Sequence, residues 1–281
     1  MREDIRLILV DAIPEVRERV LEPSVAGKDE EKPFLVVREG PQDPGDPYSG
    51  FATIIEVWPF VRQTSFTEVD RLANKIIDTL HQKRFDSSAG EPFFVQYIGT
   101  AGDDITDDDW NAYTRGLRFQ VFSLAWLVTE ITEPDPTEAM RRWTEQHFPE
   151  LQVDPSAWQP SDQQPALYWR LAAITGVEMM SWGAWLNARL VGHLLAPKAQ
   201  TRVEWLKKIV PSLAKDKRTY MADNSPLFFE TISADSTEDP FRAGQIQVNV
   251  RYGVLNEVPD VPKMDKIHLA TDDGAGGVIG E

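Results

Sequence analysis

Five aspartates fall within seven residues, Asp103-Asp104-Ile105-Thr106-Asp107-Asp108-Asp109, the densest run of potential ligands in the chain. Carboxylates at that spacing could offer oxygens to a hard cation such as calcium. The run lacks the central glycine and the distal bidentate glutamate of an EF-hand loop. It therefore reads as a charged loop exposed to solvent, to a partner or to a channel. A sparser acidic group, Asp235, Glu238 and Asp239, lies between two apolar segments in the later part of the chain. The four histidines, His81, His147, His193 and His268, show no close pairing of the kind a zinc site needs. His81 is expected at a helix end, where a cation complements the helix dipole. Gly274-Ala275-Gly276-Gly277 follows no strand and opens no helix, so it makes no phosphate cradle. A Walker motif and a Gly-x-Ser-x-Gly elbow are both missing. No catalytic residue, metal or cofactor is expected, and the chain does not read as an enzyme.

Composition narrows the classes further. There is no cysteine among the 281 residues, which removes disulfides, thiolate metal sites and a cysteine nucleophile together. The opening Met1-Arg2-Glu3-Asp4-Ile5 lacks the basic-then-apolar order of a secretory signal, so none is expected. No apolar run approaches the ~20 residues of a membrane span. The net charge is −16, made up of −11 over residues 1–133 and −5 over residues 134–281. Neither half carries the basic footprint of a nucleic-acid reader.

The elements that must position these residues recur. Pro92-Phe93-Phe94-Val95-Gln96-Tyr97-Ile98 returns as Pro226-Leu227-Phe228-Phe229-Glu230-Thr231-Ile232, an offset of 134. Ile5 to Val16 matches Met140 to Leu151, and Pro33 to Arg38 matches Pro165 to Arg170. Arg115 to Val121 is matched to Arg242 to Val248, an offset of 127. Between them, Leu72, Ala73, Ile76, Ile77 and Leu80 form one helical stripe, repeated by Trp205, Leu206, Ile209, Val210 and Leu213. Capping boxes are expected at Thr67…Asp70 and Thr201…Glu204.

Each half then reads helix, strand, a more variable strand region, helix, strand, strand. In the first half the variable region alternates Phe51, Thr53, Ile55 and Val57 on one face. In the second, Ser181 to His193 is rich in Trp, Leu and Ala, and partial helix is expected there. The last two strands of each half are expected as a hairpin around an acidic loop, Gly102 to Asp109 and Ala234 to Asp239.

The fold class is α+β: two tandem copies of a small mixed or antiparallel sheet with helices on one face. The copies are placed at 1–131 and 137–255. Residues 132–136 form the linker, Val153 to Pro165 a loop, and 256–281 a partly flexible extension with an apolar patch at Ile267 and Leu269. Trp169 and Trp205 take core positions. Trp182 and Trp185 lie where the copies diverge most, and with Ile267 and Leu269 they are candidates for an interface.

In the first copy, the order runs from a helix at Ile5 to Val20, through a Pro-led strand at Pro33 to Val37, to a strand entering a polar turn at Phe51 to Gln63. A capped helix at Thr67 to Leu80 and a hairpin at Phe93 to Phe122 with an acidic loop complete it. This order resembles the tail terminator, or tail-completion, proteins of long-tailed bacteriophages. The resemblance implies a virion protein, assembled in the host cytoplasm, that forms a ring commonly of six domains. Such a ring caps the tail tube protein and meets the head-side connector protein. Family members usually carry one such domain and no C-terminal extension. Three fused chains would give a pseudo-sixfold ring, and six chains would give twelve domains in two tiers. The acidic loops would then edge a channel through which DNA passes without being held. Two readings compete: another tail tube, neck or baseplate component, and a protein-binding adaptor that uses the Trp182/Trp185 region.

Overall fold

Burial of a helical stripe organises each half of the molecule. The structure is a computed structural model, and it describes residues 1–41, 52–124, 133–154 and 161–256 together with the backbone of 267–269 and 277–279. In the first unit the chain runs α1 (Arg2–Ala12), β1 (Val20–Leu21), β2 (Phe34–Glu39), β3 (Ala52–Arg62), α2 (Phe66–Leu80), β4 (Lys83–Asp86) and β5 (Pro92–Thr100). It continues through β6 (Ile105–Asp107) and β7 (Ala112–Thr114) to β8 (Leu117–Ser123). Leu72, Ala73, Ile76 and Leu80 of α2 are buried, as are Ile5 and Leu9 of α1. They meet one face of the sheet, made by Leu35, Val37, Ile55, Val57, Phe93, Val95, Phe119 and Val121. The alternation of two per strand selects that face. Each fully buried Leu or Ile contributes about 1.5–3 kcal/mol. Phe51 lies outside the described residues.

The second unit repeats the plan with α3 (Pro136–His147), β9 (Ala166–Met180), β10 (Gly183–Leu195), α4 (Ala199–Asp216), β11 (Arg218–Tyr220), β12 (Pro226–Ala234) and β13 (Ile246–Leu255). A short antiparallel pair, β14 (Ile267–Leu269) and β15 (Gly277–Ile279), follows. Residues 270–276 lie outside the described residues, as do the side chains of β14 and β15.

The strand order decides that the two units share one topology. The first sheet runs β1-β2-β3-β8-β5-β4 and the second β9-β10-β13-β12-β11 when read from the same side. Where β1 pairs parallel with β2, Gln152 makes a parallel bridge to Ala166 at the start of β9. All other pairings within the two sheets are antiparallel, and in both the helices cover one face. The α+β class with two copies of one sheet arrangement therefore holds.

Several local expectations give way. Ser181 to His193 is not helical: β10 pairs with β9 on one side and β13 on the other through most of its length. Its Leu and Ala residues suit a helix or a strand, and only the partners decide. At its start Gly183 has φ +155, and a Cβ there would lie 2.0 Å from the Val254 carbonyl oxygen, so the tight turn into β10 needs glycine.

The two capping boxes do not form. Ser65 caps α2 by accepting from the Thr67 amide (3.1 Å), which leaves Asp70 to pair with Arg115 at 2.7 Å. At α4, Asp162 from a distant loop accepts from the Lys198 amide and from the Thr201 hydroxyl, both at 3.0 Å. The hydroxyl is thereby drawn away from its own helix end. At α3, by contrast, Asp135 caps directly, and Pro136 opens the helix.

The last repeat match shifts by two residues. Phe94 pairs with Phe122 across β5 and β8, and its counterpart Phe228 pairs with Arg251 across β12 and β13. Likewise Ile55 pairs with Phe119, and Leu190 with Val248. Phe119 thus corresponds to Val248 and Leu117 to Ile246, an offset of 129 rather than 127. A slip of two keeps every side chain on its face, so periodicity cannot detect it.

Candidate assembly interface

The acidic loops are folded structures rather than free tips. In the first unit, β6 pairs with β7, and β7 pairs with β3, which lays the loop back on its own sheet. Trp110 packs on Phe60 with ring centroids 4.8 Å apart, and Phe34 stacks on Phe60 at 4.9 Å. Asp107 accepts from the Trp110 amide at 2.9 Å and so shapes the turn. Asp104 receives two bonds from Arg115, which hold its carboxyl below the usual carboxylate range. Asp108 lies 3.4 Å from the Gln63 amide nitrogen, while Asp103 and Asp109 are exposed.

In the second unit, Asp235 accepts from the amide and hydroxyl of Thr237, and Asp239 accepts from the amides of Phe241 and Arg242. Glu238 is exposed. The eight acids thus divide into turn-formers, a paired Asp104 and a few exposed charges. The two loops occupy corresponding positions in their units and do not converge on one site.

Among the described residues no group of three or more His, Asp or Glu is placed to hold a metal ion. Nor is any described helix long and apolar enough to cross a membrane. His81 is not a cation for a helix dipole: its Nδ1 accepts the Tyr97 amide at 3.0 Å, and burial lowers its pKa, so the ring is neutral. His147 stacks on Trp143, with Nε2 3.1 Å from Asp216. Among the described side chains, the most buried histidine is His193. Its Nδ1 donates to the Pro240 carbonyl (2.8 Å), and its Nε2 accepts from Arg170 Nε (3.3 Å). Burial, reinforced by the Arg170 charge and opposed by the Pro240 bond, pushes its pKa down to about 4.

These bonds support the contact between the units, which the sequence did not reveal. Phe94 and Phe122 project from the sheet face opposite the helices and stack on Phe241, with centroids 4.3 and 4.7 Å apart. Ala166, Tyr168 and Leu195 complete this apolar cluster from the second unit. Gln245 fixes the loop that carries Phe241 by bonding both the amide and the carbonyl of Leu194, at 2.9 and 3.0 Å. Beside the cluster a polar cavity of about 270 Å³ opens, walled by Gln82, Gln96 and Gln120 from the first unit and by Pro197, Arg202 and Glu238 from the second.

The contact joins unlike surfaces. The first unit uses β5 and β8, and the second uses the starts of β9 and the end of β10 together with its β12–β13 loop. Its only sequence signal was the apolar Phe241 within an acidic, turn-rich stretch.

Trp182 and Trp185 do come together, edge to face at 5.4 Å, on the open face of the second sheet. Arg251 lies over the Trp185 ring at 4.9 Å and bonds Glu178 at 2.6 Å, and Phe228 is 6.3 Å from Trp185. Ile267 and Leu269 lie in β14, where side chains are outside the described residues. On the opposite face of the same sheet, Ile174, Val177 and Met179 of β9 are 52%, 59% and 77% exposed, beyond the cover of α3 and α4. The first unit has a different polar feature on its open face. Glu56, 2% exposed, accepts from Arg38, Arg118 and Trp58. Burial raises its pKa, but the three donors together outweigh that and hold the carboxyl below its ordinary value. Comparison of the chain with protein-family models, characterised proteins and solved structures finds no match.

Proposed function

We propose that this chain is a structural protein that closes a ring at the end of a bacteriophage tail tube, with each chain contributing two of the ring's domains. The observation that carries the reading is the contact of Phe94 and Phe122 with Phe241: one topology occurs twice, and the two copies meet through unlike surfaces. Of the corresponding surfaces, Phe228 and Arg251 of the second unit stay open beside Trp185, while Phe34 and Phe60 of the first are packed under Trp110. A contact between unlike surfaces is nonetheless of the heterologous kind. Repeated between chains it generates a closed ring or an open filament.

Three chains supply six domains, and six chains supply twelve. The tail tube protein and a head-side connector are the partners in this reading, and the virion tail is its location. The acidic surface leaves passing DNA without counterion-releasing contacts. Exposed Asp103, Asp108 and Asp109 are the loop charges available to edge a channel.

Native mass measurement with negative-stain imaging tests the proposal. Closed rings of threefold or sixfold appearance, with no retention of duplex DNA at physiological salt, are the expected result. Long tubes would favour a tube component. A stable monomer at working concentration would refute ring formation and favour an adaptor that binds through the exposed Trp182 and the half-buried Trp185 beside it.

A further inference from the structure

The hairpin of β9 and β10 runs past the helices, and its far end carries an apolar face. Leu171, Ile174, Val177 and Met179 of β9 pair with Leu190, Ala188, Leu186 and Ala184 of β10. Leu190, Ala188 and Leu186 belong to the helix-side core, so their partners share that side of the sheet. Two bulges in β9, at Ala172 and Thr175, hold the stripe on one face although its members are three residues apart. Tyr252 and Val254 of β13, opposite Leu186 and Ala184, widen the face to three strands. Exposure climbs along it from 38% at Leu171 to 77% at Met179. In a chain of net charge −16, a face of this breadth without a charged side chain marks an interaction surface.

The chain leaves the second unit at the end of this same face. Leu255, the last residue of β13, lies opposite Gly183, which in turn pairs with Met180. The Asn256 amide donates to the Trp182 carbonyl at 2.9 Å, which fixes the exit at the tip of the hairpin. From Asn256 the extended backbone reaches Ile267 over as much as about 36–40 Å. The stripe from Leu171 to Met179 covers only about 26 Å. In the pair formed by β14 and β15, Ile267 stands opposite Ile279, and Leu269 opposite Gly277. Two strands alone are marginal in water, and an apolar surface to lie on supplies the burial they lack. Ile174, Val177 and Met179 stay open to solvent in the single chain, which makes a second chain the source of their cover.

We infer that the β14–β15 pair of one chain docks on the Ile174, Val177 and Met179 face of a second copy. Each chain thereby gives its last strand pair to a neighbour. The inference rests on the ring reading and names a contact that joins adjacent chains. Donor and acceptor are different surfaces, as a cyclic assembly requires.

The lack of cysteine makes disulfide cross-linking a clean test. Full-length Val177→Cys and Leu269→Cys chains are mixed under mild oxidation and read by intact mass and non-reducing electrophoresis. A covalent product of twice 31.8 kDa is expected, beyond any formed by either variant alone. Glu178→Cys is the control. Glu178 is 58% exposed, as open as Val177 at 59%, but it pairs with Trp185 on the other face of the sheet. With Leu269→Cys it should give at least about tenfold less product, because sulfurs directed to opposite faces cannot be bridged. Exposure of Val177 also means that a cysteine there leaves the core intact.

If the wild type forms rings while the two mixtures cross-link alike or not at all, the docking is wrong and the ring reading survives. A doubly substituted chain, Val177→Cys with Leu269→Cys, that closes its disulfide within itself overturns the second copy as the occupant. A wild type that is monomeric throughout removes both.

Discussion

His193 offers the most quantitative test, because a titratable group sits at the base of the contact between the units. Its pKa falls from 6.5 to about 4 on folding, and its Nδ1 proton is committed to the Pro240 carbonyl. The unfolded chain therefore takes up a proton on this ring before the folded chain does. Stability must fall with acidification between about pH 6.5 and 4 and be flat, for this residue, above 6.5. The full shift corresponds to about 3 kcal/mol, of which about 2 kcal/mol is lost by pH 5. Carboxylates such as Asp4, Glu56 and Asp162, whose pKa values are lowered on folding, also lose stability as pH falls, so the wild type alone does not isolate the histidine. The variant His193→Gln does, since an amide can still donate to Pro240 and does not titrate. Urea unfolding followed by tryptophan fluorescence at pH 7.5, 6 and 5 should show the wild type losing about 2 kcal/mol more than the variant by pH 5. Parallel stability curves for the two proteins would refute the buried neutral histidine.

Three further outcomes follow from the packing. Phe241→Ala should cost about 3–5 kcal/mol and split a single unfolding transition into two, measurable by calorimetry, because Phe241 bridges Phe94 and Phe122 to the second unit. Glu56→Ala leaves Arg38 and Arg118 facing each other and should cost about 2 kcal/mol after allowance for their partial exposure. Glu56→Gln should be milder by urea titration. Asp135→Ala removes the acceptor for the Thr137 amide at the start of α3 and should cost about 1 kcal/mol by the same assay.

The sequence by itself determined the repeated plan. The stripes of α2 and α4, the Pro-led starts of β5 and β12, the continuous apolar run of β2 and the alternation of Thr53, Ile55 and Val57 along β3 are local patterns legible without tertiary contacts. Only tertiary structure decided the rest. The offset of the last strand is 129 because pairing with β10 and β12 sets register, whereas a two-residue slip leaves the burial pattern unchanged. Asp162 took the capping role at α4 from 36 residues away, which no local motif encodes. Residues 183–195 became a strand because two neighbours supplied its hydrogen bonds. Phe94, Phe122 and Phe241 look in sequence like ordinary core residues. Their role as the joint between units comes from facing away from the helices, and that direction depends on contacts between residues far apart in the chain.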